Sequence, residues 1–189
     1  MIKDSSAKES TVTLLKAEPL SVAEVNEYGE GHIYSCPTSS TCGSSAQNIH
    51  GYGGIPYYSS STCTKATDTY TGCTTNYAQS EIKYAVDAWK NAKAQAAEEA
   101  RLITRDEYIA LTVAETYETP TEPGTRYVPQ YDWLYNNNYS YWTISPYNDS
   151  TSDVWIVDYN GSLYNVDGDS GKHVVRPVIV LSKSLLSNE

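Results

Sequence analysis

The sequence predicts an α+β fold, with two main helices packed on a small twisted antiparallel sheet, its terminal strands paired and its elements joined by long irregular loops. Three observations carry this. Apolar residues recur at helical spacing after Ser80, short alternating strands gather late in the chain around an Asn160-Gly161 turn, and the apolar run Val174 to Leu181 closes the chain as a partner for the alternating run near its start.

Taken in order, Thr11 to Ala17 alternates as a strand, and Leu20 to Tyr28 reads as a short helix, with Ser21 and Glu24 spaced as a capping box and Gly29 placed to stop it. From Glu30 to Tyr77 the chain is Gly, Ser, Thr and Tyr punctuated by Cys, too long for an unsupported loop, so cross-links or a ladder of short strands such as Ile55 to Tyr58 must order it. The clearest helix starts at Ser80, where Ile82, Ala85, Val86, Trp89, Ala92 and Ala96 share a face; Glu98 and Glu99 oppose the dipole at its end and fray the last turn. Arg101 to Ile103 reads as extended, and Thr104 with Glu107 caps a helix running to about Leu111. Glu115 to Pro129, with Pro120, Pro123, Gly124 and Pro129, reads as an exposed connection rather than a domain boundary. Tyr141 to Ser145 and Val154 to Asp158 are strands. Asn160-Gly161 predicts a type I′ hairpin turn that returns Leu163 to Val166 antiparallel. In the closing strand, Pro177 cannot donate to a ladder and calls for an edge or a bulge.

At 189 residues the chain fits one domain, 1–189, able to bury roughly 70% of its unfolded surface. Residues 1–10 are expected to be flexible, 30–79 form a Cys-containing insertion or loop region, and 131–181 hold a recognition region and the closing strand. The formal charge of -10 and a pI near 4.7 exclude nucleic acid as a partner, because that affinity rests on Lys and Arg displacing counterions. No apolar run approaches the roughly 20 residues that span a bilayer, so this segment is not expected to insert directly into a membrane.

Cys36, Cys42, Cys63 and Cys73 lie in loop-like sequence and admit three pairings, of which the local one, Cys36 with Cys42 and Cys63 with Cys73, is favoured. A zinc site is the rival, but no pair has the tight spacing such sites use. Disulfides imply an oxidising compartment, and the expected localisation is secreted or cell surface, with a leader or anchor outside this sequence.

Between Asp132 and His173 the chain is almost wholly Tyr, Trp, Asn, Asp, Ser, Thr and Gly, and Tyr occurs 18 times overall while Phe is absent. Recognition loops use these residues, pairing rigid aromatic contact area with adaptable hydrogen-bonding groups. The expected ligand-binding face is Tyr135, Asn136, Asn138, Tyr139, Tyr147, Asn148, Asp149, Ser152, Asp153, Tyr159, Tyr164, Asn165, Asp167, Asp169 and Lys172. Trp133, beside Tyr131 and Tyr135, suits stacking on a sugar or an aromatic ligand, whereas Trp89 and Trp155 read as core.

Catalytic constellations are weak. Asp149 and Asp153 lack the unequal environments an acid/base couple needs, and Ser145-Pro146 lacks nucleophile-elbow glycines, so no catalytic residue is assigned. His32, His50 and His173 are too dispersed for a nonheme iron site, and no cofactor or metal is assigned. Asp167-Gly168-Asp169-Ser170-Gly171 alternates hard oxygen ligands but has no closing Glu, and reads as a solvated turn. Arg176, inside an apolar run, reads as a scaffold residue bonded to a buried acid or to backbone carbonyls, with an anion clamp as the rival.

The strings Tyr141-Trp142-Thr143-Ile144-Ser145-Pro146-Tyr147, Val154-Trp155-Ile156-Val157, Gly161-Ser162-Leu163 and Val175-Arg176-Pro177-Val178-Ile179, preceded by Ala100-Arg101-Leu102-Ile103-Thr104, resemble an uncharacterised domain family of bacterial surface and secreted proteins. That family is similar to C-type-lectin-like folds, including the formylglycine-generating-enzyme branch and the variable proteins of diversity-generating retroelements. The resemblance covers roughly residues 80 to 181. It implies a noncatalytic recognition or adhesion domain whose partner is a protein or glycan on another cell or surface. The alternatives are a structural module of a larger envelope protein and a degenerate enzyme of the formylglycine-generating type. The Glu-Pro-Asn, Gln-Pro-Asp and Trp-Asn-Asp sugar motifs of calcium-dependent lectins are absent, and all four cysteines precede residue 74, far from where that enzyme branch places its reactive pair.

Overall fold

A computed structural model describes residues 3–4, 10–29, 47–49, 52–54, 64–66, 69–71, 77–118, 123–135, 137–147, 153–168 and 173–186. Its elements are β1 (Lys3–Asp4), β2 (Thr11–Leu15), α1 (Val22–Gly29), β3 (Gln47–Ile49), β4 (Tyr52–Gly54), β5 (Thr64–Ala66), β6 (Thr69–Thr71), α2 (Glu81–Lys93), β7 (Glu99–Arg101), α3 (Arg105–Ile109), β8 (Thr112–Glu118), β9 (Pro123–Pro129), β10 (Tyr141–Pro146), β11 (Asp153–Val157), β12 (Leu163–Asp167) and β13 (Val178–Ser182). The expected α+β class with antiparallel strands is what the chain adopts. Its terminal strands pair, β13 running antiparallel to β2 from Val178 opposite Leu15 to Ser182 opposite Thr11.

Local sequence explains the helices. In α1, Ser21 N–H donates to Glu24 Oε2 at 2.8 Å and Glu24 N–H to Ser21 Oγ at 3.2 Å, the reciprocal bonds of a capping box. Thr104 and Glu107 form a second box on α3, and the Ser80 hydroxyl caps α2 by accepting from Lys83 N–H. On α2 the residues Ile82, Ala85, Val86 and Trp89 are buried as their spacing predicts, but Ala92, in the last turn with Lys90 and Lys93, is exposed, and so is Ala96, which lies beyond the helix end at Lys93. Glu98 and Glu99 therefore lie beyond the helix rather than fraying it.

Two strand expectations are corrected. Thr112–Glu118 and Pro123–Pro129 form a regular ladder, not an open connection: β8 pairs with β9 from Thr112 opposite Pro129 to Glu118 opposite Pro123, and Pro123 and Pro129 fall at the two ends of β9, where a missing N–H costs the ladder least. Pro177 does not place the closing strand at an edge, since it precedes the ladder and leaves the all-apolar Val178 to Leu181 as a central strand in the order β1-β2-β13-β7. The long Gly- and Ser-rich region contains two short hairpins, β3–β4 and β5–β6. The expected strand at Ile55 to Tyr58, together with Cys36, Cys42, Cys63 and Cys73, lies outside the described residues.

In the second sheet, β10-β11-β12, residues of β10 and β11 enter a core on each face, which explains their apolar runs, while β12 lies nearer solvent with Tyr164 exposed. One core gathers Leu20, Val25, Ile82, Val86 and Trp89 from the helices against Leu102, Trp142, Ile156 and Val175. The other gathers Tyr108, Leu134 and Tyr139 against Ile103, Tyr141, Val157 and Val174. Neighbouring residues such as Tyr141 and Trp142, or Ile156 and Val157, thus point into different cores, as the two-residue strand period requires.

Candidate functional site: an aromatic display on a buried frame

Arg176 is buried, and its guanidinium ends on backbone carbonyls. Nε donates to Lys16 O at 2.9 Å, Nη1 to Leu134 O at 3.2 Å, and Nη2 to Ala17 O at 2.9 Å and Trp133 O at 2.7 Å. The group also lies 5.3 Å from the centre of the Tyr141 ring, whose own hydroxyl donates to Leu134 O at 2.5 Å. These bonds tie the approach to α1 to the single turn Asp132–Leu134, so the scaffold reading of Arg176 is supported over the anion-clamp rival, for which four of the five donors are already engaged by carbonyls. Leu134 is buried beneath that turn, while Tyr131 and Trp133 remain 45% and 38% exposed and stack on each other, centroids 5.5 Å apart and planes 21° apart.

The β11–β12 turn is pinned in the same way. Gly161 N–H donates to Asp158 O and Asp158 N–H to Ser162 O, both at 2.8 Å, and Gly161 has φ of 80°. This pattern describes a turn across Tyr159-Asn160 followed by a left-handed glycine, not the type I′ turn expected at Asn160-Gly161; the five-residue connection Asp158 to Ser162 requires the extra residue. Tyr159 consequently takes the tip and is 54% exposed. Below it the buried Tyr108 hydroxyl donates to Gly161 O at 2.5 Å, and a side chain on Gly161 would meet Pro129 Cγ at 2.4 Å. Burial raises the Tyr108 and Tyr141 hydroxyls well above the usual phenol range, so both stay neutral donors.

At the other end of the sheet, Trp155 lies opposite Asn165 and Asp153 opposite Asp167. Trp155 is half-buried, which corrects its assignment to the core: Tyr147 packs edge-on at 5.1 Å, and the Arg105 guanidinium lies over the indole at 5.0 Å. The Asn165 amide donates to Asp153 Oδ2 at 3.0 Å.

Of the residues expected to form the binding face, Tyr159 and Tyr164 are well exposed, Tyr164 at 62%, and Asn138 is exposed. Tyr135, Tyr147, Asp153, Asn165 and Asp167 are half-buried. Tyr139 is the correction: at 4% exposure it belongs in the core, in the cluster that also holds Ile103, Tyr108, Leu134, Tyr141, Val157 and Val174. Asn136, Asn148, Asp149, Ser152, Asp169 and Lys172 lie outside the described residues, as do His32 and His50; His173 packs edge-on against Trp142 at 4.8 Å. Two contributors escaped the sequence reading, Arg105 and Tyr127, the latter ring 5.9 Å from the guanidinium. Their sequence positions, at a helix start and in a hairpin, carry no local sign that they meet Trp155.

Arg101 and Glu107 support the frame through a two-pronged ion pair at 2.6 and 2.7 Å. Burial alone would raise the Glu107 carboxyl, but the Arg101 hydrogen bonds, the Thr104 backbone and the Arg101 charge outweigh it and hold the group below the ordinary carboxylate range. Among the described residues no cluster of three or more His, Cys, Asp or Glu is placed to hold a metal ion, and no helix is long and apolar enough to cross a membrane. Comparison with known family models, curated proteins and solved structures finds no match to this chain.

Proposed function

We propose that the chain is a noncatalytic recognition domain with a C-type-lectin-like scaffold, belonging to a bacterial surface or secreted protein and binding a protein or glycan ligand. The carrying observation is the exposed, mutually stacked Tyr131 and Trp133 pair on a turn whose carbonyls are fixed by buried Arg176. Large aromatic faces left to solvent lose the free energy that burial would supply, so a backbone that holds them outward suits contact with a second molecule. Tyr159 and Tyr164 extend the aromatic display along the neighbouring hairpin. Pairing of β2, near the start of the chain, with the last strand, β13, supports the scaffold reading. The degenerate-enzyme alternative is weakened because Arg176, the natural anchor for a substrate anion, already donates to four carbonyls.

The test is a panel of immobilised glycans and proteins probed with wild type and the double variant Tyr131→Ala, Trp133→Ala. Both side chains are largely exposed, so the variant is expected to keep its melting temperature within a few degrees, while binding falls by about tenfold or more. Undiminished binding by the variant refutes this site. Concentration-dependent self-association without any foreign ligand would instead support the structural-module alternative.

A further inference from the structure

The arginines packed on the frame are not used alike. Arg101 bonds to Glu107 and to Leu102 O, and Arg176 to four carbonyls. Arg105 differs: its side chain makes one polar contact, from Nη1 to Asp106 Oδ1 at 3.4 Å, and that aspartate is 92% exposed. Its Nε is buried without a hydrogen-bond partner. What positions it is packing, since the guanidinium lies over Trp155 at 5.0 Å and faces Tyr127 at 5.9 Å, while its backbone N–H is fixed by the Ser145 hydroxyl at 3.0 Å.

A guanidinium stacked on an indole keeps its in-plane Nη edge available, and that edge matches the two oxygens of a carboxylate. The Arg105 side chain is 32% exposed, so the edge is within reach of a ligand. Beside it on the same sheet face, across from Trp155, Asn165 is oriented by its bond to Asp153 and leaves its carbonyl oxygen as an acceptor. A cation for a carboxylate, an aromatic wall for C–H faces and an amide acceptor for a hydroxyl together suit an acidic sugar. A polyanionic peptide fits worse, because Asp153 and Asp106 would repel its further charges. We propose that Arg105, Trp155 and Asn165 form a subsite for the carboxylate and ring of a uronic or sialic acid. The proposal rests on the recognition reading above and narrows its ligand class.

The experiment is a protein-observed NMR titration following the Trp155 indole N–H, with methyl glucuronide and the methyl glycoside of N-acetylneuraminic acid as probes, which separates the two sugar sources. Methyl glucoside, acetate and an acidic tripeptide are the comparisons, and Arg105→Gln and Arg105→Lys are the variants. At least one acidic glycoside is expected to shift the indole signal with millimolar affinity, about tenfold tighter than methyl glucoside or acetate. Arg105→Gln should erase that preference, and Arg105→Lys should keep only part of it, since an ammonium offers no fork. If Arg105→Gln does not fold, the wild-type preference and the lysine variant still decide. Equal binding of acidic and neutral glycosides, acetate or the tripeptide binding as tightly as the sugars, or an unchanged Arg105→Gln each overturns the subsite. Absence of an acidic preference in the wild type alongside retained Trp133-dependent binding overturns only this inference and leaves the recognition reading standing.

Discussion

Replacing Arg176 with methionine tests whether the frame is held by buried hydrogen bonds to main chain. Methionine keeps most of the side chain's length and apolar stem but removes every donor, so the carbonyls of Lys16, Ala17 and Trp133 lose their guanidinium partner, while Leu134 O keeps the Tyr141 hydroxyl. Three of the four bonds are only part-buried, so water will compensate in part. With a cost of about 1–1.5 kcal/mol for each abandoned carbonyl, and relief of the buried charge set against loss of the contact with the Tyr141 ring, the variant should lose about 3–4 kcal/mol. Urea unfolding followed by far-UV circular dichroism measures this directly, as a lower midpoint at unchanged slope. A near-ultraviolet spectrum should also change, because the turn that stacks Trp133 on Tyr131 is no longer tied down. A loss below about 1 kcal/mol would refute the reasoning, since it would mean that the carbonyls find equivalent partners without the guanidinium. Arg176→Lys should recover only part of the loss: a single ammonium cannot serve two chain segments more than a hundred residues apart with the geometry of the fork.

Two further outcomes are expected. Gly161→Ala should cost about 2–3 kcal/mol in the same assay, from a left-handed backbone at φ of 80° and a methyl placed 2.4 Å from Pro129 Cγ, and its exposed neighbour Asn160→Ala should cost much less. Glu107 has a folded-state pKa below its unfolded value, so its contribution is complete above about pH 4–5 and disappears as pH falls through the folded value; Glu107→Gln should therefore be less stable than wild type at pH 7, with the gap narrowing in acid, and a gap that stays constant from pH 7 to pH 2 would contradict the ion pair.

What the sequence disclosed about the fold was governed by how local the cause is. Both capping boxes, the buried stripe of α2 and the strands around the Asn160-Gly161 turn depend on residues within a few positions of one another, and they formed where expected. Pairing of the terminal strands was also legible, because two apolar or alternating runs at the chain ends had no other obvious partners. The β8–β9 hairpin was obscured by its prolines, whose effect depends on whether they sit within a ladder or at its ends. At the site the same logic applies. Tyr159 and Tyr164 were placed outward, while Tyr139, of identical type and similar surroundings in sequence, is buried in a cluster with Ile103, Tyr108, Val157 and Val174, which only tertiary packing brings to it. Trp155 failed for the converse reason: its strand neighbours Val154 and Ile156 fill one core, and it faces the other side, where Arg105 and Tyr147 cover it only in part.

The abundance of tyrosine and absence of phenylalanine take on a physical meaning once these positions are separated. The buried Tyr108 and Tyr141 could be phenylalanines by size alone, yet each hydroxyl ends on a carbonyl of a display segment, Gly161 in the hairpin turn and Leu134 in the turn that carries Trp133. Arg176 reaches the same second segment. The bonds joining frame to display therefore run from buried side chains to main-chain oxygen, and they make no demand on which side chains stand at 131, 133 and 159. A scaffold tied in this way can accept changes at these exposed positions without altering the bonds that hold them in place. Substitution of the buried donors, by contrast, strikes the turns directly, because an orphaned carbonyl must find water or move.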